Sequence, residues 1–386
     1  MSAFDVAIVG GGIIGGSLAF DLAAEKLKVV ILDRQLPGQE SSRAAAGMLS
    51  PGPDSPDALP LVPLAKESLR LYPEFVLKVE EASGRRTEFT HGGALQIFLG
   101  PRAESERLQM AAEYHRLDLG FEIISREEAR QLEPSLGPAA HAAAWLREEA
   151  VVDPHLLTDA VIAAARNRGV EIRHHCPVTA VLQDGRRCDG VFAGGERIPA
   201  KFVVVAAGAY SGGIDWLARY APTRPVRGQM IALRSADLTL RTVVRSENGY
   251  LVPRRDGRII AGSTLEEAGF EKHVTPSGIR KILDAALELI SGLAQAEIVE
   301  TWAGLRPGTP DNLPVLGPTD IEGLLIATGH YRNGILLAPV TRMLLGQWIL
   351  SGQVPMDTTA FSPLRFSAEN SHTTTATGAS ASPDFR

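Results

Sequence analysis

Three glycines, Gly10, Gly12 and Gly15, constrain this chain most, because they stand where a buried strand turns into a helix. Phe4 to Val9 (FDVAIV) is a short apolar run of the kind that crosses a sheet buried on both faces. Ile13 to Lys26 follows as a helix, with Ile14, Leu18 and Leu22 recurring at helical spacing, and Lys28 to Leu32 (KVVIL) is a second buried strand closed by Asp33. This is a βαβ unit, and it predicts an α/β, Rossmann-like dinucleotide-binding domain. In such a turn Gly10 permits the tight bend, Gly12 lets backbone approach a pyrophosphate, and Gly15 lets helix and strand pack closely. The phosphates rest on unpaired N–H groups at the helix start, around Ile13 and Ile14, where the dipole favours negative charge. Asp33, followed by Arg34, lies near the spacing of about 20 residues at which an acid bonds a ribose hydroxyl, which disfavours NADP. The turn by itself serves NAD and FAD equally.

The chain has 386 residues, more than one core usually supports, and 45% of them are apolar, so two domains are expected. A net charge of −6 gives no basis for nucleic-acid binding or for a polybasic membrane anchor. The two cysteines, Cys176 and Cys188, have no disulfide or metal-ligand spacing, and no metal is expected. The apolar stretch Val6 to Phe20 lacks the basic flank of a secretory signal and is interrupted by glycines. A soluble, cytoplasmic protein is expected.

Later segments choose between the cofactors. Ser41 to Leu49 (SSRAAAGML), Lys201 to Ser211 (KFVVVAAGAYS), Arg224 to Leu233 (RPVRGQMIAL), Trp302 to Asp311 (WAGLRPGTPD) and Gly329 to Pro339 (GHYRNGILLAP) follow one another in order. Together they resemble the D-amino-acid oxidase family, most closely its glycine oxidases, from Asp5 to about Phe366. The resemblance implies FAD, with Ser41, Ser42, Ala46, Gly47 and Met48 running under the flavin. It places Val178 near the adenine and Ala207 and Gly208 at the end of the second cofactor-side strand. His330, Tyr331, Arg332, Asn333, Gly334, Ile335 and Leu336 then bring the N-terminus of a helix to the flavin edge, where N–H groups stabilise the reduced, anionic ring.

For the substrate side the resemblance implies Arg306 as carboxylate clamp, with Arg332 beside the flavin, Tyr250 as a further hydrogen-bond donor, and Gly47 leaving room. Pro307 biases Arg306 toward an extended backbone. Where some glycine oxidases carry a histidine two positions before the tyrosine, this chain has Asn248. The implied reaction is hydride transfer from a small amino acid, glycine foremost, to flavin N5. The imine is hydrolysed to the 2-oxo acid and ammonia, and dioxygen is reduced to hydrogen peroxide, in service of the thiazole branch of thiamine synthesis. No cysteine stands near WAGLRP, so the FAD is expected to be non-covalent. His330 is expected to be structural. A tetramer is implied by resemblance alone. Rival readings are a D-amino-acid or sarcosine oxidase, or a dehydrogenase of the same family, an FAD holder without turnover, and an NAD-linked dehydrogenase.

Because the cofactor blocks are spread along the chain, the FAD domain is expected to be discontinuous: 1–84, 150–222 and 302–366. Residues 85–149 and 223–301 then form an α+β substrate domain, an antiparallel sheet with helices on one side. Ser125 and Glu128 predict a capping box. The segment 367–386 is rich in Ser, Thr and Ala and is expected to be a disordered tail.

Overall fold

Alternate residues of the strand Phe4–Val9 enter opposite cores, Val6 and Ile8 one, Ala7 and Val9 the other. That is why its sequence is a continuous apolar run. It pairs in parallel with Val29–Leu32, Val6 opposite Val29, and with Glu196–Val205, Phe4 opposite Ala200. Glu171–Arg173 extends the sheet on one side and Leu324–Thr328 on the other, both parallel, with antiparallel Val315–Pro318 at the edge. A hairpin, Val178–Asp184 with Arg187–Ala193, hangs from Glu196–Val205. The computed structural model describes residues 4–366, so the tail expected at 367–386 lies outside the described residues.

The helices Ile13–Ala24, Val62–Ser83, Pro154–Asn167 and Gly334–Ser351 share the core that Val6 and Ile8 enter. The first ends two residues before its predicted end; Lys26 already has a left-handed backbone (φ 64°). Gly334–Ser351 is long and apolar enough to cross a membrane by length and composition, and it packs against Ile13–Ala24 and Val62–Ser83. Pro339 inside it cannot donate to the carbonyl of Ile335, and the buried Tyr72 hydroxyl donates there instead at 3.0 Å. Ser68 Oγ donates to the Leu336 carbonyl (2.6 Å) and accepts from Val340 N (3.2 Å). Side chains of a neighbouring helix thus complete the ladder that proline interrupts.

The second sheet runs Glu297–Gly308, Arg224–Arg234, Arg258–Gly262, Tyr250–Pro253, Val243–Arg245, Ala94–Phe98, Ala142–Leu146, Glu122–Ile124. Its strands alternate strictly: Leu95, Ile97, Ile231, Leu233, Ile259 and Ala261 enter one core, Ala94, Met230, Ala232 and Ile260 another. Three expectations need correction. One pair, Val243–Arg245 with Ala94–Phe98, is parallel. Helices cover both faces: Arg126–Leu132 and Pro276–Leu289 one, Ala103–Arg116 the other, because both faces are apolar. The strand Glu297–Gly308 pairs along its whole length with Arg224–Arg234, so a boundary at 302 would cut it. Gly304 to Pro307 of its WAGLRP block line a cavity while their backbone belongs to the second sheet. Ser125 and Glu128 do form the capping box.

Candidate active site

A cavity begins at the carboxyl ends of four parallel strands, where Val9-Gly10, Leu32-Asp33, Ala206-Ala207 and Ala327-Thr328 line it. Ligands bind at such strand ends because loops diverge there. Gly10 has φ +103°, and a Cβ on it would lie 2.5 Å from the Ala206 carbonyl oxygen. On Gly15 a Cβ would lie 2.0 Å from the Gly10 oxygen, so this glycine serves packing under the turn and does not line the cavity. Gly12 is the N-cap of its helix and provides no side-chain cap. Ile13 N donates to Ser42 Oγ at 2.9 Å, and Ile13 and Ile14 both line the cavity. Asp33 accepts from Gly11 N (2.7 Å) and Gln35 N (2.9 Å); burial nevertheless pushes its carboxyl above the usual range. Arg34 lies against the Tyr210 ring (3.5 Å) and donates to Glu40 (2.7 Å), and Val178 and Gly208 complete this end.

Ser41 to Met48 is less open than a loop. Ser41–Ala44 is a helical turn, and Met48–Leu49 pairs with Ala150–Val151. Trp302 Nε1 donates to the Ala44 carbonyl (3.2 Å) and Arg254 Nη2 to that of Ala46 (2.6 Å). Gly47 has φ +81°, and a Cβ there would meet the Val152 carbonyl at 1.9 Å. Backbone approach to Val152 therefore requires glycine here, a reason beyond the room for substrate expected of it, and Gly47 also lines the cavity.

The far end is lined by Gly47, Met48, Met230, Tyr250, Ser263, Arg306, Tyr331 and Arg332. A guanidinium carries five N–H donors. Arg306 gives one from Nη1 to the Thr264 carbonyl (3.1 Å) and one from Nη2 to Ser263 Oγ (2.7 Å). Four other inward-lying arginines, Arg227, Arg245, Arg254 and Arg342, each have a carboxylate partner: Glu266, Glu149, Asp153 and Asp21. Among the described residues no carboxylate pairs with Arg306. Burial, with the like charge of Arg332, lowers its pKa against the pull of Tyr250, Tyr331 and Asp54. A desolvated, unpaired cation facing a cavity favours an anion there.

Arg332 is half-exposed and 3.3 Å from Asp54, a partner the sequence did not indicate. Tyr331 adopts φ +49° and donates its N–H to the Pro307 carbonyl (3.1 Å), joining the two C-terminal blocks. The Tyr250 hydroxyl points at Met230 Sδ (3.3 Å), a weak acceptor. His330 is buried against Thr341 Oγ1 (3.0 Å), and burial pushes its pKa down to about 3, so it is neutral. Gly334 and Ile335 line the cavity at a second helix N-terminus without a side-chain cap. Asn333 and Leu336 do not line it: the first is the N-cap, the second is core. Asn248 also lies outside, exposed and bonded to Glu288 (3.0 Å), so its difference from a histidine does not bear on the pocket wall. Glu40, Tyr210, Met230 and Ser263 were missed, because side chains brought together from distant segments leave no local spacing to read.

Two helix starts whose N-cap residues supply no side-chain cap thus open on one cavity, one beneath a glycine turn and one beside Arg306 and Arg332. That donor set fits a dinucleotide, whose phosphates would rest at the helix start beneath the glycine turn. Residues 5–348 match the family described as FAD dependent oxidoreductase (DAO). The glycine oxidase of Pseudomonas putida is 35% identical over 93% of this chain and 98% of its own length. The bifunctional protein ThiO/ThiG of Trichormus variabilis is 36% identical over 90% of this chain; the chain spans only 52% of that relative. The crystal structure of glycine oxidase from Geobacillus kaustophilus superposes with TM-score 0.90, at 30% identity, over 95% of this chain and 99% of that one. Fold, cofactor cavity and relatives agree: the chain belongs to the DAO family of FAD-dependent oxidoreductases.

Proposed function

We propose that this enzyme oxidises glycine and other small amines, such as small D-amino acids and sarcosine, to an imine that water hydrolyses to the 2-oxo acid and ammonia (methylamine from sarcosine), with dioxygen reduced to hydrogen peroxide. The observation that carries the reading is Arg306, an inward guanidinium without a carboxylate of its own, beside Tyr250 and Arg332 on one cavity. Bound FAD, held non-covalently, supplies the hydride acceptor. Arg306 holds the substrate carboxylate and is itself oriented by Ser263 and Thr264. The Tyr250 hydroxyl exchanges its weak sulfur contact for that carboxylate. The acids lining the cavity, Asp33 and Glu40, lie at the dinucleotide end, and His330 is committed to Thr341. Asp54 lies off the cavity wall and pairs with Arg332, so no free carboxylate or histidine lines the substrate end among the described residues, which suits direct hydride loss from a neutral amine governed by positioning. Names of relatives, glycine oxidase and ThiO/ThiG, support the substrate and a role in thiamine synthesis.

Replacing Arg306 with lysine keeps a charge but loses the fork. The expected outcome is a drop of about 100-fold in kcat/KM for glycine, mostly through KM, with FAD still bound. Steady-state peroxide release with glycine, sarcosine and D-alanine checks both clamp and substrate. Unchanged kinetics in the variant, or no peroxide and no flavin reduction with any of the three amines, would overturn the reading.

A further inference from the structure

The segment 263–275 leaves the second sheet, crosses to the dinucleotide end of the cavity and returns. Both its ends are tied to Gln229: Thr264 Oγ1 accepts from Gln229 N (2.9 Å), and Thr275 N donates to Gln229 Oε1 (2.7 Å). Glu266 pairs with Arg227 through backbone bonds and an ion pair. Beyond Glu266 the segment turns at Ala268 and Gly269, the glycine having φ +58°. Its outer part then meets the cavity wall. Phe270, 53% exposed, stacks on Tyr210 with ring centroids 4.8 Å apart and planes 23° from parallel. Lys272 pairs with Glu40 at 3.1 Å. Tyr210, Glu40 and Arg34 line the cavity; Phe270 and Lys272 do not. Glu40 also receives Arg34 and Gln35, both at 2.7 Å, so one carboxylate gathers three side chains around the cofactor mouth.

An exposed phenylalanine gains little from a solvent-facing strap unless the ring it covers must be held. We infer that this strap is a cofactor latch: Phe270 and Lys272 are positioning residues that brace Tyr210 and Glu40 over the nucleotide half of FAD and slow its release. At its other end the same strap orients Arg306 through Ser263 and Thr264, so cofactor retention and the carboxylate clamp share one segment. The inference rests on flavin binding, which the family establishes, and not on which amine is oxidised.

The test uses full-length holoprotein and FAD alone. Release is followed by recovery of flavin fluorescence after dilution, and apoprotein melting by circular dichroism. Phe270→Ala with Lys272→Gln is expected to release FAD about tenfold faster, equivalent to about 1.4 kcal/mol. The melting temperature of the apoprotein should stay at the wild-type value, so that only the holoprotein loses stability. Lys272→Glu, which turns attraction to Glu40 into repulsion, should speed release as a single change, and Phe270→Tyr should keep it slow. Release within a factor of two of wild type in the double variant overturns the latch. Equal losses of apo and holo stability without faster release overturn it too, leaving the strap a structural loop.

Discussion

At the scale of single residues, burial decides what each charge can do. His330 lies against Thr341 with its pKa near 3, far below the ordinary 6.5. Its folded pKa is depressed, so above pH 6.5 both states are neutral and the residue costs nothing. As pH falls below 6.5 the unfolded chain takes up a proton that the folded chain refuses until about pH 3, so stability is lost across that window. The wild type should lose up to about 1.4 kcal/mol per pH unit more than His330→Gln between those limits. Urea titrations of both proteins at several pH values check this; parallel pH profiles would show that His330 is not held neutral. Arg306 presents the converse case, a cation kept inside without a carboxylate partner among the described residues, which is why the proposed function gives it the substrate carboxylate.

Among the elements, the helix Gly334–Ser351 depends most on its neighbours. Its sequence is mostly apolar, as suits a buried helix, and Pro339 interrupts its hydrogen-bond ladder. What the pattern could not show is that Tyr72 and Ser68, on a helix far away in sequence, supply the missing hydrogen bonds. Tyr72→Phe leaves the Ile335 carbonyl without its partner and should cost about 1–3 kcal/mol. Ser68→Ala loses a donor and an acceptor together and should cost at least as much. Equilibrium denaturation of the apoproteins measures both, and a loss below about 0.5 kcal/mol in each would show the bonds to be dispensable. Since this helix start lines the cavity, FAD affinity should fall in step with stability.

On the scale of the whole molecule, Arg254 connects the two sheets. It follows the strand Tyr250–Pro253 of the second sheet, and its side chain reaches Asp153 (3.3 Å), the N-cap of the helix Pro154–Asn167. It also donates to the carbonyl of Ala46 in the cofactor-lining segment. Arg254→Met leaves Asp153 buried without its cation and should cost about 3–5 kcal/mol. The same variant should bind FAD more weakly, because Ala46 loses its tether. Denaturation with and without FAD, combined with flavin titration, checks both; an unchanged FAD affinity would show that the segment keeps its shape without Arg254.

Local sequence determined the strands and helices of the glycine turn, the capping box at Ser125 and Glu128, and the apolar alternation of the second sheet. Each depends on backbone sterics or periodicity within a few consecutive residues. Motif resemblance also located Arg306, Arg332 and Tyr250, which the fold gathers on one cavity. Only tertiary structure decided the rest: the contact of Gly47 with Val152, the ion pair of Arg332 with Asp54, and the meeting of Tyr210 with Phe270. These join segments remote along the chain, and whether such side chains meet depends on how two sheets pack, which no short window of residues encodes.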